Sequence, residues 1–84
     1  MNNQLIIDTI NQIKEKACKD AFLQTKKLLP KKISEEELKN IITNFAEKID
    51  YKIDFNNKST FFIKVKVYSD TLNKLNQFLR RYNA

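Results

Sequence analysis

The chain has no glycine, no histidine, one cysteine and one proline in 84 residues. Each absence closes a route to chemistry. Glycine lets backbone amides approach a phosphate closely or take up positive φ at no steric cost, so a glycine-rich phosphate loop is excluded. Histidine is the commonest general base and metal ligand near neutral pH, and metal sites built without it recruit several cysteines. The one thiol, Cys18, can form no internal disulfide. It lies at the edge of an apolar helical stripe with no histidine to activate it, and reads as a packing residue rather than a nucleophile. Neither enzymatic activity nor a cofactor is expected. A lone cysteine suits a reducing compartment. Leu5-Ile6-Ile7 is too short for a signal peptide, since Asp8 closes it. No apolar run approaches the roughly 20 residues of a membrane span. The expected location is cytoplasmic, with no membrane contact.

What remains is a small, basic, well-patterned chain. Its length suits one domain, 1–84, which buries roughly 60–65 % of its unfolded surface. Hydrophobic residues make up 42 % and recur with clear periods, which argues for a folded globule rather than disorder. Sixteen Lys and Arg stand against ten Asp and Glu, a formal charge of +6. That excess suits a polyanionic partner. A composition rich in Lys, Asn and Ile also follows from AT-rich coding alone.

Residues 3–29 carry an apolar stripe at helical spacing. Ile6, Ile10, Ile13, Ala17, Ala21 and Leu28 form it, and Ile7, Cys18, Phe22 and Leu29 widen it. Pro30 stops this helix. Unbroken, it runs to about 40 Å at 1.5 Å per residue, against a diameter of ~30 Å for a compact globule of this size. It contains no breaker, so the excess either overhangs or packs on a second copy, and a homodimer through the first helix is one expectation. Further on, Ser34 is an N-cap and Glu37 completes a capping box, with Ile33 and Leu38 at the staple positions. Leu38, Ile41, Ile42, Phe45 and Ile49 trace the buried face of this second helix. Glu35, Glu36 and Glu37 read as first-turn acids at the positive end of a helix dipole, not as a catalytic cluster. They also make this helix poorly suited to a phosphate-lined groove.

From Asp50 the period changes to two. Tyr51, Ile53 and Phe55 alternate with Lys52 and Asp54, and Phe61, Ile63, Val65 and Val67 alternate with Phe62, Lys64, Lys66 and Tyr68. This pattern predicts a β-hairpin with Asn57 at a left-handed turn position. A three-residue loop at 57–59 pairs Phe55 with Phe61, Ile53 with Ile63 and Tyr51 with Val65. Only such an odd loop keeps all seven apolar side chains on one face. Ser69 or Asp70 then caps a last helix whose buried face is Leu72, Leu75, Phe78, Leu79 and Tyr82. The predicted fold is α+β in the order α-α-β-β-α, a two-stranded antiparallel hairpin packed against helices with a long N-terminal helix.

On the outer face of that hairpin Lys52, Phe62, Lys64, Lys66 and Tyr68 fall together, aromatics interleaved with cations. Such a surface suits a protein partner. A second candidate is the cluster Lys26, Lys27, Lys31 and Lys32, extended by Arg80 and Arg81 if the last helix ends nearby. It would grip nucleic acid through its phosphates. The expected function is that of a small non-enzymatic regulatory protein that occupies a partner's surface, in the manner of a phage or mobile-element inhibitor or an accessory subunit of a nucleoprotein machine. The alternatives are direct nucleic-acid binding through the basic cluster and a structural homo-oligomer.

Overall fold

The computed structural model describes residues 3–27, 33–51 and 59–82. They form three helices: α1 (Asn3–Thr25), α2 (Glu35–Glu47) and α3 (Thr60–Tyr82). No strand occurs among the described residues.

α2 forms as its sequence signals. The Ser34 hydroxyl accepts the Glu37 amide at 3.1 Å, and the Ser34 carbonyl accepts the Leu38 amide at 3.0 Å. Both groups satisfy donors that a helix start leaves orphaned. At the far end Lys48 and Ile49 donate to Phe45 and Ala46, each three residues back. These tightened 3₁₀-type bonds close the helix with no left-handed residue, and no positive φ occurs among the described residues. α1 is one continuous helix of 23 residues. It stops at Thr25, four residues before the expected end, and Leu28 and Leu29 lie outside the described residues.

The predicted hairpin is overturned. Its second strand, Thr60 to Tyr68, is instead the first half of α3. Of its first strand only Tyr51 is described, and it is not in a strand; Lys52, Ile53, Phe55 and the turn residue Asn57 lie outside the described residues. The chain is all-α in these parts, not α+β. Ser59 caps α3 as Ser34 caps α2: its hydroxyl accepts the Phe62 amide at 3.1 Å and its carbonyl the Ile63 amide at 3.0 Å. Ser69 and Asp70, expected to start a helix, sit in mid-helix, where Asp70 pairs with Lys66 one turn back at 3.5 Å. The physical reason lies in magnitudes. Each β-branched residue costs a helix about half a kcal/mol relative to Ala. Burying a Val or Ile side chain gains roughly 1.5–3 kcal/mol, and Ile63 and Val67 are both buried. The helix also satisfies its own backbone, which a lone strand cannot do.

α1 and α3 share the largest interface, and they run parallel. Leu5, Ile6 and Thr9 lie beside Thr60, Ile63 and Lys64, Asp20 meets Tyr68, and Phe22 packs with Leu75 and Leu79. The core gathers at the C-terminal ends of this pair, where α2 covers it. Ala21, Phe22, Leu38, Ile42, Leu75 and Leu79 form one cluster, and Phe45 stacks on Phe78 with ring centroids 4.3 Å apart. Thr71, fully buried, donates to the Val67 carbonyl at 2.7 Å. Its only proton is used there, so it accepts from the Tyr51 hydroxyl. The N-terminal halves of α1 and α3 extend beyond this core. The described molecule measures 46 × 19 × 18 Å, and its radius of gyration of 14.0 Å exceeds the ~12 Å of a compact chain of this length. α1 does not overhang alone: its N-terminal half is paired with α3, and it is the pair that extends beyond α2.

Val65 separates helix from strand by experiment. It is 48 % exposed, so Val65→Ala should raise stability by up to about 0.5 kcal/mol through helix propensity. On a strand the same change should cost up to about 1 kcal/mol. The urea midpoint decides, and a fall would contradict the helical assignment.

Candidate contact surface

Helical geometry redistributes the predicted hairpin patch. Residues four apart share a helix face and residues two apart do not. Lys64 and Tyr68 therefore stay together, while Phe62 and Lys66 turn to another side of α3. Lys52 lies outside the described residues. Lys66 is engaged with Asp70, and Phe62 is 44 % exposed.

Lys64 borders a groove of about 350 Å³ between the N-terminal halves of α1 and α3, where Leu5, Ile6, Thr9 and Gln12 face Thr60 and Ile63. Ile63, 5 % exposed, forms its floor. Farther along the same helix pair, the Tyr68 hydroxyl donates to Asp20 Oδ2 at 2.5 Å. Lys16 Nζ lies 3.7 Å from that same oxygen and 5.7 Å from the centre of the Tyr68 ring. This triad ties α1 to α3 across the surface. The bond to Asp20 pushes the Tyr68 phenol above its ordinary range, with burial and the carboxylate charge adding to the effect.

Sequence reasoning missed the most exposed apolar groups. Phe61 is 78 % exposed, Leu5 63 %, Leu23 50 %, Ile7 49 % and Val65 48 %. The hairpin register placed Phe61 and Val65 in the core. On a helix, Phe61, Lys64, Val65 and Tyr68 stand at i, i+3, i+4 and i+7 and share one face instead. The signal that could have found them is the spacing of Ile63 and Val67 with Thr71, Leu75 and Leu79.

The second predicted cluster fares differently. Because α1 and α3 are parallel, their C-terminal ends lie together, which brings Lys26 and Lys27 to the same end as Arg80 and Arg81. Lys31 and Lys32 lie outside the described residues. Lys26 and Lys39 each place Nζ near the Phe22 ring, at 5.7 and 5.1 Å from its centre. Between α1 and α2 a further groove of about 490 Å³ is lined by Cys18, Phe22, Lys39 and Ile42 among others. Burial pushes the Cys18 thiol up, which keeps it from the thiolate form that attacks or ligates.

Among the described residues no three His, Cys, Asp or Glu side chains are grouped to hold a metal ion, and no helix is long and apolar enough to cross a membrane. No protein-family model matches the chain, and comparison with curated proteins and with solved structures finds no match.

The Tyr68 bond carries a pH signature. The folded state holds this proton more tightly than the unfolded chain does. Its contribution is therefore complete below the phenol's ordinary pKa near 10 and fades as pH climbs through the raised value. Tyr68→Phe should flatten the alkaline part of the stability–pH curve and leave its shape at pH 6–8 unchanged. Denaturation midpoints measured from pH 7 to 11.5 check this; an identical alkaline slope in both proteins would refute the bond.

Proposed function

We propose that this protein works by contact, as a small binding module that docks another protein on the N-terminal half of the α1–α3 pair. The observation that carries this reading is the placement of Leu5, Ile7, Phe61, Phe62 and Val65. All five are between 44 and 78 % exposed and lie in the half beyond the core; of the large exposed hydrophobics among the described residues only Leu23, at 50 %, lies at the core end. Exposed apolar groups concentrated in one region mark interaction sites, and aromatics are enriched at protein interfaces. Stacking of nucleic-acid bases on the same aromatics would need cations nearby to hold phosphates. Here Lys16 and Lys66 already pair with Asp20 and Asp70, which leaves Lys64 as the one nearby lysine of α3 to hold a phosphate.

The test is comparative capture from extracts of the cells that express the protein. Phe61→Ser/Val65→Ser alters two exposed side chains and should leave the fold intact, as thermal unfolding will verify. The double variant should lose at least nine-tenths of the protein retained by the native chain. Equal retention sinks the reading.

The basic end supports a second reading, polyanion binding, because four of the six predicted cations lie towards the same end of the parallel helices. A labelled single-stranded oligonucleotide measures it. Binding through z phosphates should weaken with salt at a log–log slope of about −0.7z, and Lys26→Glu/Arg80→Glu should reduce affinity at least tenfold in 50 mM salt. An affinity indifferent to salt and to both substitutions removes it. Sedimentation equilibrium on the native chain separates both readings from a homo-oligomer.

A further inference from the structure

We infer that the groove between the N-terminal halves of α1 and α3 receives an amphipathic helix whose apolar edge enters it and whose acidic flank meets Lys64. The inference rests on the contact reading above and names the partner's chemistry.

Shape comes first. On α1 the groove is edged by Leu5, Thr9 and Gln12, and Lys16 continues the same line at i, i+4, i+7 and i+11. On α3 it is edged by Thr60 and Lys64, with Phe61 and Val65 exposed beside them. From Leu5 to Gln12 is roughly 10 Å at 1.5 Å per residue, the length of two helical turns. The Tyr68–Asp20–Lys16 triad stands across the pair beyond that point. A groove two turns long with Ile63 at its floor has room for the i, i+3, i+4, i+7 anchors of a docked helix. The described backbone here is helical on both sides. It offers no strand edge for an extended peptide to pair with.

Charge selects the flank. No acidic residue lines the groove among the described residues. Lys64 is exposed and makes no ion pair among the described residues, and Lys16 already shares Asp20. An aliphatic stem along the groove with a free ammonium at its lip welcomes a carboxylate. A second copy of this chain fits less well, because each copy carries +6 and would bring cations to cations.

Two synthetic 18-residue helical peptides test this against the full chain by fluorescence anisotropy. Both carry leucines at i, i+3, i+4, i+7 and i+11; one is flanked by Glu and the other by Lys. The Glu peptide should bind at least tenfold more tightly than the Lys peptide. Lys64→Glu should abolish that preference, whereas Lys74→Glu, an equal change in net charge on the far half of α3, should preserve it. Amide shifts on titration should concentrate at residues 5–16 and 60–68 and spare 38–46. Equal binding of both peptides, no binding of the Glu peptide, or displacement of that peptide by a single-stranded oligonucleotide overturns the inference. So does a dimer in sedimentation equilibrium that Phe61→Ser/Val65→Ser dissociates. If the peptides fail while capture still depends on Phe61 and Val65, the contact reading stands and only the helical acidic partner falls.

Discussion

On each of the three helices a buried row advances by four: Ala17, Ala21 and Thr25, with Phe22 beside them; Leu38, Ile42 and Ala46; Ile63, Val67, Thr71, Leu75 and Leu79. Rows at this spacing are the ridges that interlock in the commonest class of helix packing in globular proteins. Four residues turn a helix through about 400°, so the buried line creeps about 40° around the axis at every step. From Ile63 to Leu79 it turns through roughly 160°. The two ends of α3 therefore present their apolar lines in quite different directions. α2, with 13 residues, seals only the end where Leu75 and Leu79 meet Phe22. At the other end no third helix is present among the described residues, and there Phe61 and Val65 are exposed. The elongated shape and the exposed apolar face are both consequences of the same four-residue spacing.

Parallel pairing has an electrostatic consequence. It sets two helix C-termini side by side, each the negative end of a dipole. Arg80 and Arg81 sit in the last turn of α3, and Lys26 and Lys27 follow α1 directly. The same end receives the N-terminus of α2, the positive pole of its own dipole, with Glu35, Glu36 and Glu37 in its first turn. Each of these charges thus answers a dipole. The basic cluster stabilises the fold before it meets any ligand. Phe61, at 78 % exposure, answers nothing comparable within the fold. This asymmetry is why the apolar end carries the functional proposal and the charged end only the second reading.

The stretch from Thr60 to Tyr68 shows where local pattern stops being informative. Ile63 and Val67 are four apart, a separation that puts them on one face of a strand and on one side of a helix alike. Alternation and β-branching tip the local reading towards a strand. The deciding residues lie outside the stretch, because Thr71, Leu75 and Leu79 continue the same four-step line through Ser69 and Asp70, which locally resemble a cap. Propensity is a weak prior that tertiary burial overrides. α2 was legible for the opposite reason. Ser34 and the periodic Leu38, Ile42 and Phe45 all point to one answer, and the structure has Ser34 as the cap with Leu38 and Ile42 buried. The stripe of α1 and the apolar face of α3 beyond Asp70 were equally plain. The candidate site was half legible. Lys64 and Tyr68 were singled out and remain on one face, but their apolar neighbours were assigned to the core because they were read on the wrong element.

The energetics of the two ends bear on how such a surface works. At the sealed end Leu38, Ile42 and Leu75 are at most 1 % exposed, and each contributes roughly 1.5–3 kcal/mol of burial. At the open end, among the described residues, Ile63 and Val67 are buried, while Ile6, Ile10 and Ile13 are half-buried. Stability is therefore unevenly distributed, and local opening costs least where the exposed aromatics lie. A partner that covers Leu5 and Phe61 adds apolar burial where the chain by itself has least. Whatever binds the folded form alone stabilises it by mass action, and here that gain falls on the weaker end. In the proposed complex, binding and completion of the core become one process: the four-step line that carries α1 and α3 past the reach of α2 leaves the place that the proposed helix would fill.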